Sequence, residues 1–517
     1  MKFLPDDKFE VDFMDSGLDT SQHPERIDQS KTPNCNNVRL TDHGLSTDLD
    51  NVALGVAYTG VDKPILAIEE FQRKGGAKEY LLRIRNTGWD AWDGAAWTTL
   101  SGATLGSAGY RPYIARTKDR ILMANGFDRI MSWDGSLGTP VAALSADAPI
   151  CRYIAPFANR LIATYVDHDG YMDPYGLAWS ADGIITNFTD VLLGAGLVSL
   201  EPDGRRAQAD FFTGLSALET MLVLYRQSSI QVGVRTGIAI APFQFYTQVE
   251  ELGTLSPYSV ATVGKKIGDL FVGHDLNVYL YDGNNPIPVG EQITKTLQAV
   301  VTDPEALVGR IDWKNREYWL ANITTGDAWV LSLRELFNSK KIIWHHRTLP
   351  ANTNALGFGY ASGGPDDPIV DTVNLVVDTV GSLVDRYDVG TIAKRYTLFG
   401  DTLGAVSALD GTVFTANGYW YSKPMAQTDM EATVDQIYFR YLCRTAAQVK
   451  VGLSFDGGTT VVTERIVNVA VGSGSFSTWH DITGRAPQVK ITIVSGDLTI
   501  SDFKAVARAR GRITSTA

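Results

Sequence analysis

The chain has 517 residues, 44% of them hydrophobic and 20% charged, so it is globular material with a large core and too long for one small domain. Its net charge of −12 argues against a generally basic, nucleic-acid-binding surface. Cys35, Cys151 and Cys443 are too few and too widely spaced for a disulfide framework or a zinc motif, which points to synthesis in a reducing cytosol.

The start, MKFLPDDKFEVDF, does not read as a signal peptide, and no run approaches the ~18 apolar residues of a membrane span. Residues 1–50 are polar and irregular, with Pro24 and Pro33, and predict an extended arm or an edge strand. From 51 onward short apolar runs at 81–85, 121–123, 161–163 and 221–225 are punctuated by Gly, Asp, Asn or Pro, as strands are. The stretch 269–283, DLFVGHDLNVYLYDG, predicts two strands and a turn, and 313–320 with 328–333 another pair. Helical spacing occurs at 291–301, through Ile293, Leu297 and Val300, and over one or two turns at 332–338. The segment 361–368, ASGGPDDP, predicts a loop. From 425 to 517 the pattern becomes period 2: Ile437, Phe439, Tyr441; Val449, Val451, Leu453, Phe455; Val489, Ile491, Ile493. That alternation predicts a separate β-sandwich, with Gly472-Ser473-Gly474-Ser475 as a loop inside it.

Through the middle of the chain an aromatic-Asp-Gly turn recurs. It reads Trp92-Asp93-Gly94, Trp133-Asp134-Gly135 and Tyr281-Asp282-Gly283, with a looser AWSADG at 178–183. Asp-Gly suits a tight hairpin, because Gly accepts φ > 0 and Asp bonds its own backbone. Trp92, Trp133 and Trp179 stand 41 and 46 residues apart, the period of a four-stranded propeller blade. The expected fold is all-β: an N-terminal extended arm (1–50), a propeller-like body (51–424) of six to eight blades, and a C-terminal β-sandwich (425–517).

Several clusters carry candidate chemistry. Ser454-x-Asp456-x-Gly458-x-Thr460 fits the Asp-box turn of carbohydrate-active propellers, where Asp and Thr lock a hairpin and are not catalytic. Asp167, Asp169 and Asp173 alternate around Gly170, a spacing that offers oxygen ligands to calcium or makes a polar turn, and Ala178 rather than Glu at the twelfth position favours the turn. Lys340, Lys341, His345, His346 and Arg347 form the densest basic run, read as a solvated strand edge or a phosphate contact, with the two histidines on opposite faces. Arg508, Arg510 and Arg512 share a face of the last strand, and Glu250 and Glu251 are adjacent rather than facing, a poor acid/base pair. No P-loop, HExxH, CxxC or GxSxG occurs. No catalytic, cofactor-binding or metal residue is assigned, and no enzymatic role is expected.

The order of these features resembles the propeller-like tail proteins of short-tailed bacteriophages, the nozzle and DNA-stabilisation (head-completion) proteins. The resemblance covers roughly 16–345. It rests on 16–44 (SGLDTSQHPERIDQSKTPNCNNVRLTDHG), 110–135, the NRLIATYV…YGLAWSADGIITNF blade at 153–188, and 215–290. It implies a structural virion protein made in the host bacterial cytoplasm. Its copies would form a ring, often sixfold, below the portal and adaptor, in contact with fibres or spikes. DNA would leave through the lumen of that ring without sequence-specific binding, and an acidic wall would let it slide. The alternative is a carbohydrate-binding or glycan-active propeller that recognises the host.

Overall fold

A computed structural model describes residues 8–12, 16–28, 30–41, 44–72, 79–102, 106, 111–201, 209–361, 394–425 and 430–512. The fold is nearly all β, with two short α-helices among these residues, α1 (Thr294–Val300) and α2 (Leu333–Asn338). Both fall where helical spacing predicts them, and Ser332 caps α2 by accepting from the Glu335 N–H.

Among the described residues seven four-stranded antiparallel sheets follow one another along the chain, six of them with their strands in sequence order. They are blades of a propeller: blade 1 (65–99), blade 2 (113–143), blade 3 (151–199), blade 4 (212–249), blade 5 (261–288), blade 6 (307–348) and blade 7 (353–414). Among the described residues the last blade has three strands of its own. Its fourth is Leu49–Ala53, which pairs antiparallel with Val406–Phe414. The ring therefore closes with a strand from the start of the chain, and the first strands of blades 7 and 1 meet.

The recurring aromatic-Asp-Gly motif marks one place in the blade, the end of its third strand. Trp92, Trp133, Trp179 and Tyr281 are the last residues of the third strands of blades 1, 2, 3 and 5. Gly94, Gly135, Gly183 and Gly283 all have positive φ. Asp93 accepts from the N–H groups of Ala95 and Ala96, Asp134 from Ser136, and Asp282 from Asn284. The aromatic anchors the turn: Trp133 is fully buried and packs edge-on against Tyr80 at 5.5 Å.

The described residues of 1–50 include paired strands, as the edge-strand reading of this segment expects, rather than a free arm. Cys35–Asn36 pairs with Gly418–Tyr421, Val38–Thr41 with Gly44–Thr47, and Lys8–Asp12 with Leu498–Arg512. These N-terminal strands join two sheets otherwise made by the C-terminal region, one of five strands and one of six, with Cys35–Asn36 and Val38–Thr41 at their edges. The period-2 residues form the sandwich core: Ile437, Phe439, Val449, Val451, Leu453, Val489 and Ile491 are buried together. The sandwich already begins with Gly418–Tyr421, and Gly472–Ser475 is no loop, since it opens the long strand Gly472–Arg485 and pairs with Arg440–Cys443. The predicted loop at 361–368 lies outside the described residues beyond Ala361.

The two units share one core. Sandwich residues Val38, Leu40, Leu45 and Phe503 cluster with Leu270, Val278, Leu307 and Trp344 of blades 5 and 6. Buried charge also crosses the junction. Arg347, on the outer strand of blade 6, donates to Asp48 Oδ2 at 2.9 Å and to the Leu49 carbonyl at 2.7 Å, just where the chain passes from sandwich to blade 7. Arg39, on a sandwich strand, lies 3.4 Å from Glu317 of blade 6.

Candidate functional site

The first strand of each blade faces the propeller axis. Residues from six of these strands, or from just beside them, line an axial cavity of about 570 Å³. A space of that size suits a small molecule. It is too small to pass a DNA duplex.

Where the inner strands begin, Tyr113 and Tyr258 line the cavity, with Arg111 and Tyr153 packed beside them. Arg111 donates to the Leu66 and Asn354 carbonyls at 2.7 and 2.6 Å, tying blade 2 to blades 1 and 7. Tyr258 Oη donates to the Arg111 carbonyl at 2.7 Å, and Tyr113 Oη to the Leu215 carbonyl at 2.5 Å. Tyr113 stands edge-on to Tyr153 at 5.4 Å. Burial, together with the Arg310 charge and against the neighbouring Tyr258, lowers the Arg111 guanidinium to about 10, and burial pushes the Tyr258 phenol to about 12, so neither titrates near neutrality.

Further along the axis the lining is charged. Glu69 is held by Arg116 of blade 2 and by Arg310 of blade 6, the latter at 3.3 Å. Glu70 accepts from Arg116 at 3.4 Å and from Arg395 at 2.6 Å. Burial would raise the Glu69 carboxyl, but Arg116 and Arg310 outweigh it and hold the group below the usual carboxylate range. Behind the wall Asp269 is fully buried and accepts from Ser216, from Tyr225 at 3.0 Å and from Thr262 at 2.7 Å, stapling blades 4 and 5. Without a cation beside it, burial pushes this carboxyl up.

The motifs singled out from sequence lie elsewhere. Ser454, Asp456, Gly458 and Thr460 form a sandwich hairpin: Asp456 accepts from the Thr460 N–H at 2.8 Å and its hydroxyl at 2.6 Å, and Ser454 Oγ accepts from the Gly458 N–H at 2.8 Å. These bonds lower the Asp456 carboxyl to about 2. Asp167–Asp173 is a blade 3 hairpin whose carboxylates serve the turn: Asp167 accepts from the Gly170 N–H and Asp173 from the Tyr175 N–H, both at 2.8 Å. Among the described residues no group of three His, Cys, Asp or Glu is placed to hold a metal ion.

The basic run 340–347 is neither a solvated edge nor a phosphate patch at its C-terminal end. Arg347 and His345 are buried, and His346 points to the other face and meets Asp327 at 3.1 Å. Burial lowers the His345 imidazole to about 3, so it is neutral. Arg508 is paired with Asp435 at 2.6 Å, on a strand flanked on both sides, while the side chains of Arg510 and Arg512 lie outside the described residues. Glu250 and Glu251 are exposed at the end of blade 4.

Sequence reading missed the axial residues. Their one signal is charge inside otherwise apolar first strands, as in ILAIEEFQ (Glu69, Glu70), YIAR (Arg116) and LVGRID (Arg310).

No family model matches the chain, and no curated protein matches it. Among solved structures it is similar to the extracellular domain of a one-component system of B. thetaiotaomicron, at 9% identity and a TM-score of 0.39, over 75% of this chain and 42% of that one. It is also similar to BBS1N in complex with ARL6DN, at 10% identity and TM-score 0.38, over 71% of this chain and 98% of that one. A third is PorZ, a bacterial surface component of the type-IX secretion system of Porphyromonas gingivalis, at 10% identity and TM-score 0.33, over 74% and 44% of the two chains. The chain spans less than half of the first and third of these, and no argument about function rests on any of them.

Proposed function

We propose that this chain is a structural building block of a virion, the tail nozzle ring below the portal and adaptor of a short-tailed bacteriophage. The observation that carries the reading is a free double edge. The strands Cys35–Asn36 and Val38–Thr41, at one side of the sandwich, pack on the outer strand of blade 6. At the opposite side the edge strands are Val462–Val469, of 8 residues, and Gly472–Arg485, of 14 residues, and among the described residues nothing pairs with their outer edges. Beside them Val462, Ile466, Val471 and Trp479 are exposed. Proteins shield such edges unless another chain covers them. A rigid propeller held to a sandwich that offers one open edge is a subunit shape, and it supports an assembling protein without covalent chemistry. The resemblance at 16–345 supplies the particular assembly, with DNA passing between copies rather than through the blades.

Quantitative mass spectrometry of purified virions tests this. About six copies per particle are expected from the sixfold ring, and absence from particles overturns the reading. The glycan-recognition alternative has in its favour the exposed Trp479 and Tyr438, neighbours on one sandwich face. Loss of host-glycan retention on Trp479→Ala would establish it in place of the ring.

A further inference from the structure

The axial cavity is charged against the sign of the protein. Its lining contains Arg116, Arg310 and Lys265 and a single carboxylate, Glu69, in a chain of net charge −12. The cations are not exhausted by their neighbours. A guanidinium carries five N–H donors. Arg310 uses one N–H of each terminal nitrogen, on the Gly309 carbonyl at 3.2 Å and on Glu69 at 3.3 Å, which leaves a second N–H on each. Arg116 meets Glu69 and Glu70 through its two terminal nitrogens. Lys265 is exposed and makes no side-chain bond among the described residues. Apolar surface completes the space, with Ile114, Leu215 and Val260 in the wall and Trp313, 46% exposed, at the rim.

We propose that this cavity binds a small oxyanion of two or more negative charges, a phosphate ester or a polycarboxylate with a compact apolar body, held by the spare donors of Arg310 and Arg116 and by Lys265. Clefts lined by one sign of charge with low-dielectric walls concentrate the opposite charge, and charge-assisted bonds to oxyanions are the strong ones. The apolar wall takes the body of the ligand. Arg116, Lys265 and Arg310 come from blades 2, 5 and 6, so an occupant would bridge three blades. This inference does not depend on the tail reading, since a cavity of this size is closed to DNA.

The test is calorimetric titration of the full chain with inorganic phosphate and with citrate, at fixed ionic strength set by sodium chloride. Saturable one-to-one binding of either probe is expected. Preference for phosphate assigns the phosphate ester and preference for citrate the polycarboxylate. Lys265→Gln, on an exposed side chain, should fold normally and weaken binding about tenfold. Lys450→Gln, in the sandwich and paired with Glu464, should leave it unchanged. No saturable heat with either probe overturns the proposal, as does equal weakening by the two lysine variants.

Discussion

Arg347→Met removes a buried cation at the point where the ring is closed, and its cost follows from the geometry. The Arg347 and Asp48 side chains are 3% and 1% exposed, and their ion pair is 2.9 Å long. Methionine replaces the aliphatic stem but brings no donor and loses the guanidinium that lies over the Trp319 and Phe399 rings. Asp48 then keeps only the Leu49 N–H at 2.9 Å and the more distant charge of Arg39. Stranding one member of a buried pair costs about 3–5 kcal/mol. Asp48→Asn should cost less, since the amide oxygen still accepts from Arg347. The double variant should cost less than the sum of the two, because no charge of the pair is then left buried without its partner. Urea unfolding followed by fluorescence measures all three. Hydrogen exchange adds a local readout: amides of 49–53 should lose protection in Arg347→Met while those of blade 3 do not. Additive single-variant costs, or a loss below about 1 kcal/mol for Arg347→Met, would refute the view that this pair holds the closing strand.

Three further outcomes follow from the same structure. Asp90 is fully buried between Arg83 at 2.8 Å and Arg85 at 2.9 Å, so Asp90→Ala should destabilise blade 1 by about 3–5 kcal/mol, read from the urea midpoint. Glu317 is raised to about 7, because burial and the nearby Asp312 and Asp48 outweigh Arg39 and the bond from Trp319. A carboxyl raised in the fold contributes stability below its unfolded value, near 4.5, that is lost as pH rises through about 7. Glu317→Gln should therefore flatten the fall in melting temperature between those two values, and an unchanged slope would count against it. Ile466→Lys, on the outer face of a free edge strand and 60% exposed, should leave the melting temperature within a degree or two and abolish self-association in analytical ultracentrifugation. Persistent oligomers would place the contact elsewhere.

Local chemistry was enough for much of the architecture. The aromatic-Asp-Gly turn depends on residues adjacent in sequence, so its recurrence disclosed the blades and marked the end of their third strands. Period-2 alternation at 437–441, 449–455 and 489–493 likewise disclosed the sandwich, because side chains of one strand choose their faces by parity alone. What the tertiary structure alone decided is long-range pairing. Leu49–Ala53 completes a blade whose other strands lie some 300 residues later, and Cys35–Asn36 joins Gly418–Tyr421 across a similar distance. The segment 1–50 suggested an edge strand but not its partner, since Leu49–Ala53 is mostly half-buried and carries no apolar stripe, and pairing across the chain leaves no local signal. The same applies to 340–347: the run reads as basic and solvated until Asp48, remote in the chain, is placed against Arg347. The axial residues were hidden for a related reason, as Glu69, Arg116 and Arg310 are single charges on three strands that only the closing of the ring brings together.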